Sequence, residues 1–419
     1  MSLQGPLIVV AEHPATALVE ALSSAGAFPI VETTWADAPT AFISVKPAAV
    51  IIAEPGPPPS EAAARMLCLQ IATANGPIVP VIARVEGDDE AAVPIALPND
   101  AALPVARLVA RLASAMRVRA LHATVLRRIE LFAEHDGTLP ALPVGDALED
   151  ATVLIAGRGP LYPALSVAMG ERVRMVGALS VEAAARYLNS HDIDGVVVGD
   201  GFSPRMVEAF LNALAEDTRF RDIPVAVIGE TPAGIDDCLP NIDHVDGDPA
   251  RLVARMVPLV RMHAFETRLK RMVKSLDADG MFDPQCGLLT REAFWQDLGK
   301  AIADAKERGQ PLSVARMSFD EPVNERASLD AARMVARLTR AIDFASRDEA
   351  GGILVAFTQT DLASGHVVAR RIAGVLKNLI VAQRGGVVTV NVTLATLRAD
   401  DTLESLMRRM MGHEAVAAE

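Results

Sequence analysis

Two oppositely charged side chains, Arg340 and Asp343, stand three residues apart in the last third of the chain, and Glu349-Ala350-Gly351-Gly352-Ile353 begins after five more residues. An arginine fork offers parallel donors and a carboxylate offers acceptors, so the pair can hold a planar ligand that carries both kinds of group. The same R-x-x-D pattern also begins at Arg219 and at Arg398. At a helix end it is commonly an i,i+3 salt bridge on the surface.

The bulk composition indicates several domains and disfavours some classes of partner. A chain of 419 residues is too long for one ordinary core, so two to four domains are expected. The formal net charge of −13 argues against nucleic acid, because phosphate contacts need a basic face. The sequence has no apolar run long enough to cross a bilayer, and the run 7–11 is predicted to be a buried strand and not a signal peptide. Three widely separated cysteines, Cys68, Cys238 and Cys286, fit a reducing cytoplasm.

The first two-thirds of the chain contains a duplication, since Ala-Arg-Leu-Val-Ala-Arg occurs at 106–111 and again at 250–255. In each half, short apolar runs alternate with helical segments, which is typical of a parallel sheet with helices on both faces. We therefore predict two doubly wound, flavodoxin-like α/β domains at 1–135 and 150–276, each ending in a long helix. Each long helix either caps its own domain or forms a dimer stem or a rod between domains.

The remaining segment, 281–419, has a different order of elements. An antiparallel hairpin around Glu349–Gly352 interrupts the alternation of strand and helix, which predicts an α+β domain and not a third copy. Its predicted helices are 291–308, 328–341, 361–378 and 402–412, and its predicted strands are 311–317, 353–357 and 387–397.

The two α/β halves resemble the receiver domain of response regulators in their layout, a five-fold β-α repeat. Receiver chemistry requires a phosphoacceptor Asp, an acidic pair for Mg²⁺ and a Lys. That Lys is missing from both halves, because no lysine occurs between Lys46 and Lys270. Asp200 is the candidate phosphoacceptor, although it stands one residue beyond the expected place and strand ends commonly carry an Asp. The resemblance therefore implies pseudo-receivers used for dimerisation and protein contacts.

The C-terminal segment resembles the GGDEF domain of diguanylate cyclases, and the whole arrangement resembles the PleD-like group of bacterial response regulators. Asp283–Arg291 is similar to the family's D-x-L-T-G-L-x-N-R, and Val388–Val392 to its late V-T-I-S-I strand. The departures fall on metal-binding positions, where Ser318 and Gly351 replace acidic residues. Two-metal phosphoryl transfer needs carboxylates, so we predict a chain that is not an enzyme and that binds no metal.

In this family an R-x-x-D five residues before GGDEF binds cyclic di-GMP. Arg340 and Asp343 match that motif, Arg347 matches the arginine before the hairpin, and Arg371 matches a second site arginine on the following helix. Guanine offers O6 and N7 to an arginine fork, and its N1 and N2 hydrogens need a carboxylate. The resemblance therefore implies a cyclic di-GMP site built from these four residues.

The resemblance also implies a function in bacterial cell-cycle control. The chain is expected to be a non-catalytic cyclic di-GMP effector in the cytoplasm, at a cell pole. Its expected partners are a second copy of the chain, bound through the receiver-like domains, and an adaptor that delivers a transcription regulator to a ClpXP-type protease. Two alternatives stay open: a weak cyclase in which Asp320 and Glu349 hold the metal, and a scaffold that binds no nucleotide.

Overall fold

The computed structural model divides the chain into two compact units. The first unit comprises Met1–Arg119 and Ala141–Leu269, and the second comprises Ala120–Pro140 and Lys270–Glu419. The structure describes residues 4–53, 59–83, 96–98, 105–136, 145–229, 239–276, 281–320, 324–384 and 389–412. In these ranges no helix combines the length and apolar character needed to span a membrane. Two residues named in the sequence analysis, Cys238 and Val388, lie outside them.

The first sheet is entirely parallel, with the order β2-β1-β3-β4-β5. Its strands are β1 (Gln4–Val10), β2 (Phe28–Thr33), β3 (Ala49–Ile52), β4 (Val81–Ala83) and β5 (Ala96–Pro98). The helices between them are α1 (Thr16–Ser24), α2 (Ala38–Val45) and α3 (Glu61–Ala72). The central strands are buried on both faces, which explains their continuous apolar sequences.

The second sheet repeats this topology, with the parallel order β10-β9-β8-β6-β7. Its strands are β6 (Thr152–Ala156), β7 (Arg174–Ala178), β8 (Gly195–Val198), β9 (Val225–Ile228) and β10 (Ile242–Val245). The intervening helices are α5 (Tyr162–Gly170), α6 (Val181–Ser190) and α7 (Pro204–Glu216). In each sheet the strands therefore follow the order 2-1-3-4-5 of flavodoxin-like folds, which confirms the two parallel α/β sheets predicted from the repeat. The receiver assignment and the domain boundaries stay predictions.

Two long helices follow the two sheets, α4 (Val105–Asp136) and α8 (Pro249–Leu276). Within the first unit, Arg111 of α4 is only 1% exposed. Its guanidinium donates to the carbonyl of Pro98 at 2.8 Å and to the carboxylate of Asp243 at 3.0 Å. Arg255 of α8 donates to the same carboxylate at 2.8 Å. The first half of α4 is thus tied to both sheets of its own chain.

The C-terminal elements form an antiparallel four-stranded sheet with the order β12-β13-β11-β14. Its strands are β11 (Leu312–Phe319), β12 (Phe344–Arg347), β13 (Ile353–Thr358) and β14 (Val390–Thr396). The helices are α9 (Arg291–Glu307), α10 (Glu325–Leu338), α11 (Leu362–Arg384) and α12 (Leu403–Gly412). Two apolar clusters, one centred on Phe294 and the other on Phe357, pack on the sheet. This is the α+β order predicted from the sequence, with shifts at several element ends.

The shift that bears on the site concerns α10, which was predicted to cover 328–341. The helix begins earlier because the Asn324 side chain accepts a hydrogen bond from the amide of Ala327 at 2.8 Å, which caps the first turn. It ends at Leu338, because Thr339 has extended backbone angles. Arg340 therefore lies in the turn that follows the helix and not on the helix itself.

Candidate functional site

The Arg340–Asp343 segment is a tight turn between α10 and β12. The amide of Asp343 donates to the carbonyl of Arg340 at 3.0 Å, which closes the turn, and β12 begins at the next residue. The Arg340 side chain is exposed, whereas Asp343 is only 5% exposed. The helix and the strand therefore place an exposed guanidinium and a buried carboxyl group in one turn of the second unit.

A cavity of about 380 Å³ opens beside this turn, entirely within the second unit. The two R-x-x-D side chains both line it, together with residues from the ends of α4 and α8, from the segment before α9 and from α10 and β12. The full lining is Arg128, Lys270, Val273, Lys274, Phe282, Gly287, Leu288, Leu289, Ala336, Thr339, Arg340, Ala341, Asp343, Phe344 and Ala345.

Positive charge dominates the polar lining of the cavity. Four cationic side chains, Arg128, Lys270, Lys274 and Arg340, face one carboxyl group. Arg128 is only 3% exposed, and its guanidinium lies 5.5 Å from the centre of the Phe282 ring, a cation–π distance. Such a site favours a flat, anionic ligand.

The surroundings of Asp343 favour the protonated form of its carboxyl group. Its Oδ1 accepts a hydrogen bond from the amide of Thr358 at 3.1 Å. Burial raises the pKa of Asp343 from 3.8 to about 7, and the nearby charge of Arg340 and the backbone amides oppose this rise only in part. Among the described residues, no ion pair joins the guanidinium of Arg340 to this carboxyl group. The turn therefore does not form the i,i+3 surface salt bridge that an R-x-x-D pattern commonly forms at a helix end.

The other two R-x-x-D segments are engaged differently. Arg219 pairs with Asp217 at 2.7 Å, while Asp222 pairs with Arg117 at 2.5 Å. Asp401 accepts from the backbone amide of Arg398 at 2.8 Å and from the guanidinium of Arg409 at 2.5 Å. Neither segment lines the cavity.

The structure does not bring the two remaining predicted site arginines into the cavity. Arg347 donates to the carboxylate of Glu325 at 2.9 Å and to the hydroxyl of Ser328 at 3.3 Å. Arg371 lies exposed on α11. Sequence reasoning missed the cations that do line the cavity, because Arg128 and the two lysines belong to helices that precede the domain and carry no motif.

The two positions predicted to have lost metal-binding carboxylates lie on β11 and in the turn between β12 and β13. Ser318 pairs with Asn391 across the sheet, and Gly351 has a left-handed φ of 81° in the turn between β12 and β13. Beside them, the carboxylate of Asp348 accepts from Arg316 at 2.6 Å and from the amide of Gly352 at 2.6 Å. No group of three His, Cys, Asp or Glu residues suited to a metal ion occurs in the part of the chain that the structure describes.

The two carboxylates required by the weak-cyclase alternative make other contacts. Asp320 accepts from the amide of Thr389 at 3.0 Å. The carboxylate of Glu349 is 80% exposed and pairs with Arg291. Each carboxylate is therefore already held by a neighbour in its own part of the domain.

Asp200, the candidate phosphoacceptor, faces the loop between β6 and α5. Its Oδ2 accepts from the amide of Leu161 at 3.3 Å, and its backbone carbonyl accepts from the amides of Arg158 and Gly159 at 3.2 Å each. A Cβ atom on Gly159 would come within 2.1 Å of Oδ2. The loop thus covers the carboxylate closely, which is unfavourable for an incoming phosphoryl group, and the phosphoacceptor role stays a prediction.

No protein-family model matches the chain, and no curated protein matches it. Among solved structures, the chain is similar to the GGDEF domain of DgcB from Caulobacter crescentus in complex with c-di-GMP, at 19% identity over 33% of this chain and 90% of that chain, with a TM-score of 0.31. It is also similar to the diguanylate cyclase SiaD, in complex with its activator SiaC, from Pseudomonas aeruginosa, at 20% identity over 40% and 72% of the two chains, with a TM-score of 0.30. A third is the FimX GGDEF domain from Pseudomonas aeruginosa, at 15% identity over 33% and 93%, with a TM-score of 0.30.

Proposed function

We propose that this chain is a non-catalytic cyclic di-GMP effector that holds its ligand at Arg340 and Asp343. The observation that carries the proposal is the cavity beside their turn, which gathers a guanidinium, a carboxyl group and three further cations. A cyclic dinucleotide needs a donor and acceptor pair for each guanine edge and positive charge for two phosphodiesters. The cavity volume of about 380 Å³ falls within the range of roughly 300–1,000 Å³ that is usual for small-molecule sites.

Guanine recognition would use the two ends of the turn. The exposed guanidinium of Arg340 can swing over the opening and donate to O6 and N7 of one base. Asp343 lines the cavity and can accept from N1 and N2. The rings of Phe282 and Phe344 add apolar surface against which a base can pack. Arg371 would contact any portion of the ligand that extends beyond the cavity. Arg347 could contact the ligand only after its hydrogen bonds to Glu325 and Ser328 break.

The absence of catalysis in this proposal follows from residue types at the metal-binding positions. Ser318 and Gly351 cannot bind a cation through a carboxylate, and the neighbouring carboxylate of Asp348 is engaged by Arg316. Without a metal to bridge the nucleophile and the triphosphate, the main electrostatic stabilisation of phosphoryl transfer is missing. Glu349 at the hairpin would also repel a triphosphate, because it places a negative charge where the family has glycine.

The output of the effector is proposed from the resemblance. The two α/β domains would act as pseudo-receivers that bind a second copy of the chain and an adaptor. The adaptor would deliver a transcription regulator to a ClpXP-type protease at a cell pole. A ligand can drive such an output only if it binds one arrangement of the protein more tightly than the other.

Two parallel assays on the full chain test this proposal. Incubation with GTP and Mg²⁺ or Mn²⁺ is expected to give no linear or cyclic dinucleotide, whereas titration with cyclic di-GMP is expected to give saturable, micromolar binding. Detectable product would favour the weak-cyclase alternative. An absence of both product and binding would favour the scaffold that binds no nucleotide.

A further inference from the structure

One wall of the cavity is formed by the last turns of α8. Lys270 and Lys274 are four residues apart, so their side chains lie on the same face of the helix. Val273 lies between them and is only 6% exposed, which fixes that face toward the cavity. Both lysines are exposed at their own positions and can extend their ammonium groups over the opening.

We propose that Lys270 and Lys274 bind the phosphates of the ligand, while Arg340 and Asp343 bind a guanine base. This inference rests on the proposed function, because it assumes that the ligand is a cyclic dinucleotide. It assigns the phosphodiester contacts to α8, where sequence reasoning had placed the second cationic contribution on Arg371 of α11.

The charge balance of the cavity supports this division of roles. Four cationic side chains and one carboxyl group line the cavity. Guanine is neutral, so the oppositely charged pair Arg340 and Asp343 suits a base, whereas the other three charged side chains of the lining are all cationic. Two phosphodiesters carry two negative charges, and lysine is a compact donor that binds phosphate as a point charge. Arg128 of α4, buried against Phe282, adds a further positive charge to the cavity lining.

A consequence of this geometry concerns the end of α8. The cavity lining joins that helix end to the turn after α10 and to the start of β12. A ligand whose phosphates contact α8 and whose base contacts the Arg340–Asp343 turn would hold these three segments together. The ligand would then link the last turns of α8 to the rest of the second unit.

The decisive experiment compares charge-matched variants of the full chain by calorimetric titration with cyclic di-GMP. The double variant Lys270→Ala/Lys274→Ala is expected to bind about tenfold more weakly, because each exposed charge contact contributes a modest part of the affinity. The control variant is Lys306→Ala/Lys377→Ala, which removes two positive charges from exposed positions of the same unit that do not line the cavity. Its affinity for cyclic di-GMP is expected to stay within about twofold of the wild type.

Two further variants separate the outcomes. Lys270→Arg/Lys274→Arg keeps the charge and is expected to retain binding, which distinguishes loss of a phosphate contact from misfolding. Arg371→Ala is expected to bind with less change than the double alanine variant. Unchanged affinity in Lys270→Ala/Lys274→Ala, in a wild-type protein that does bind, would overturn the lysine assignment and leave the proposed function standing. A wild-type protein that binds no cyclic di-GMP would overturn both.

Discussion

Arg316 on β11 and Asp348 at the β12–β13 hairpin form a buried ion pair, with 2.6 Å between Nε and Oδ2. The two side chains are 11% and 9% exposed, so the pair is largely removed from water. The second oxygen of Asp348 accepts from the amide of Gly352, and a Cβ atom on Gly352 would come within 2.8 Å of that carboxylate and of the Met317 carbonyl. The carboxylate of Asp348 therefore stabilises the hairpin.

Loss of this ion pair is expected to destabilise the second unit. Asp348→Ala removes the carboxylate that pairs with the buried Arg316, and breaking a buried ion pair typically costs about 3–5 kcal/mol of unfolding free energy. The matched control is Asp330→Ala, which removes an i,i+3 pair with Arg333 in which the two side chains are 27% and 52% exposed. Such exposed pairs contribute at most about 1 kcal/mol. Urea unfolding followed by tryptophan fluorescence measures both, and equal midpoints would contradict a structural role for Asp348.

The raised pKa of Asp343 predicts how stability depends on pH. The folded state keeps this proton up to about pH 7, while the unfolded chain releases it near 3.8. The stability that Asp343 contributes is therefore complete below pH 3.8 and is lost as the pH rises through 7. At about 1.36 kcal/mol per pH unit, the loss approaches about 4 kcal/mol. Asp343→Asn should accordingly melt at a higher temperature than the wild type at pH 8, with a smaller difference at pH 5. A constant difference across this range would show that Asp343 does not titrate as described.

The same titration is expected to govern ligand affinity. If Asp343 accepts from guanine N1 and N2, the ligand binds the ionised form, which is scarce below pH 7 and prevails above it. Affinity for cyclic di-GMP should then rise about tenfold between pH 6 and pH 8. Binding measured in buffers of different ionisation enthalpy should also release a proton near pH 7. An affinity that falls with rising pH would indicate that the neutral carboxyl group contacts the base as a donor.

Blocking the cavity tests its location without removing a charge. Ala341 lines the cavity and is exposed, so Ala341→Phe places a bulky ring at the opening with little effect on the core. We expect binding of cyclic di-GMP to weaken at least about tenfold while the melting temperature changes little. Ala363→Phe, at an exposed position of α11 away from the cavity, is the control. Equal affinities of the two variants would place the ligand elsewhere.

The sheets were predictable because both faces of their strands are buried. Runs such as Thr152–Ala156 are apolar throughout, and the repeated Ala-Arg-Leu-Val-Ala-Arg motif gave the period of the duplication. The end of α10 was less predictable, because it depends on the extended backbone of Thr339 and not on a strong stop signal.

The site itself was predicted only in part. Spacing before the hairpin identified Arg340 and Asp343, and the structure places both at one cavity. The resemblance also predicted Arg371 as a site residue, but Arg371 does not line that cavity. The partners of the turn come from α4 and α8, far earlier in the chain. Only tertiary packing brings Arg128 and Lys270 to the turn, and no local pattern in the sequence records it.

The central claim is that the Arg340–Asp343 turn binds cyclic di-GMP, and calorimetric titration tests it most directly. The full chain would be compared with Arg340→Ala and with Arg398→Ala, which alters the same sequence pattern at a turn that does not line the cavity. We predict micromolar binding in the wild type and in Arg398→Ala. Arg340→Ala should lose about 1–3 kcal/mol, the usual contribution of a bidentate contact to guanine. Equal binding by all three proteins, or no binding by the wild type, would contradict the account.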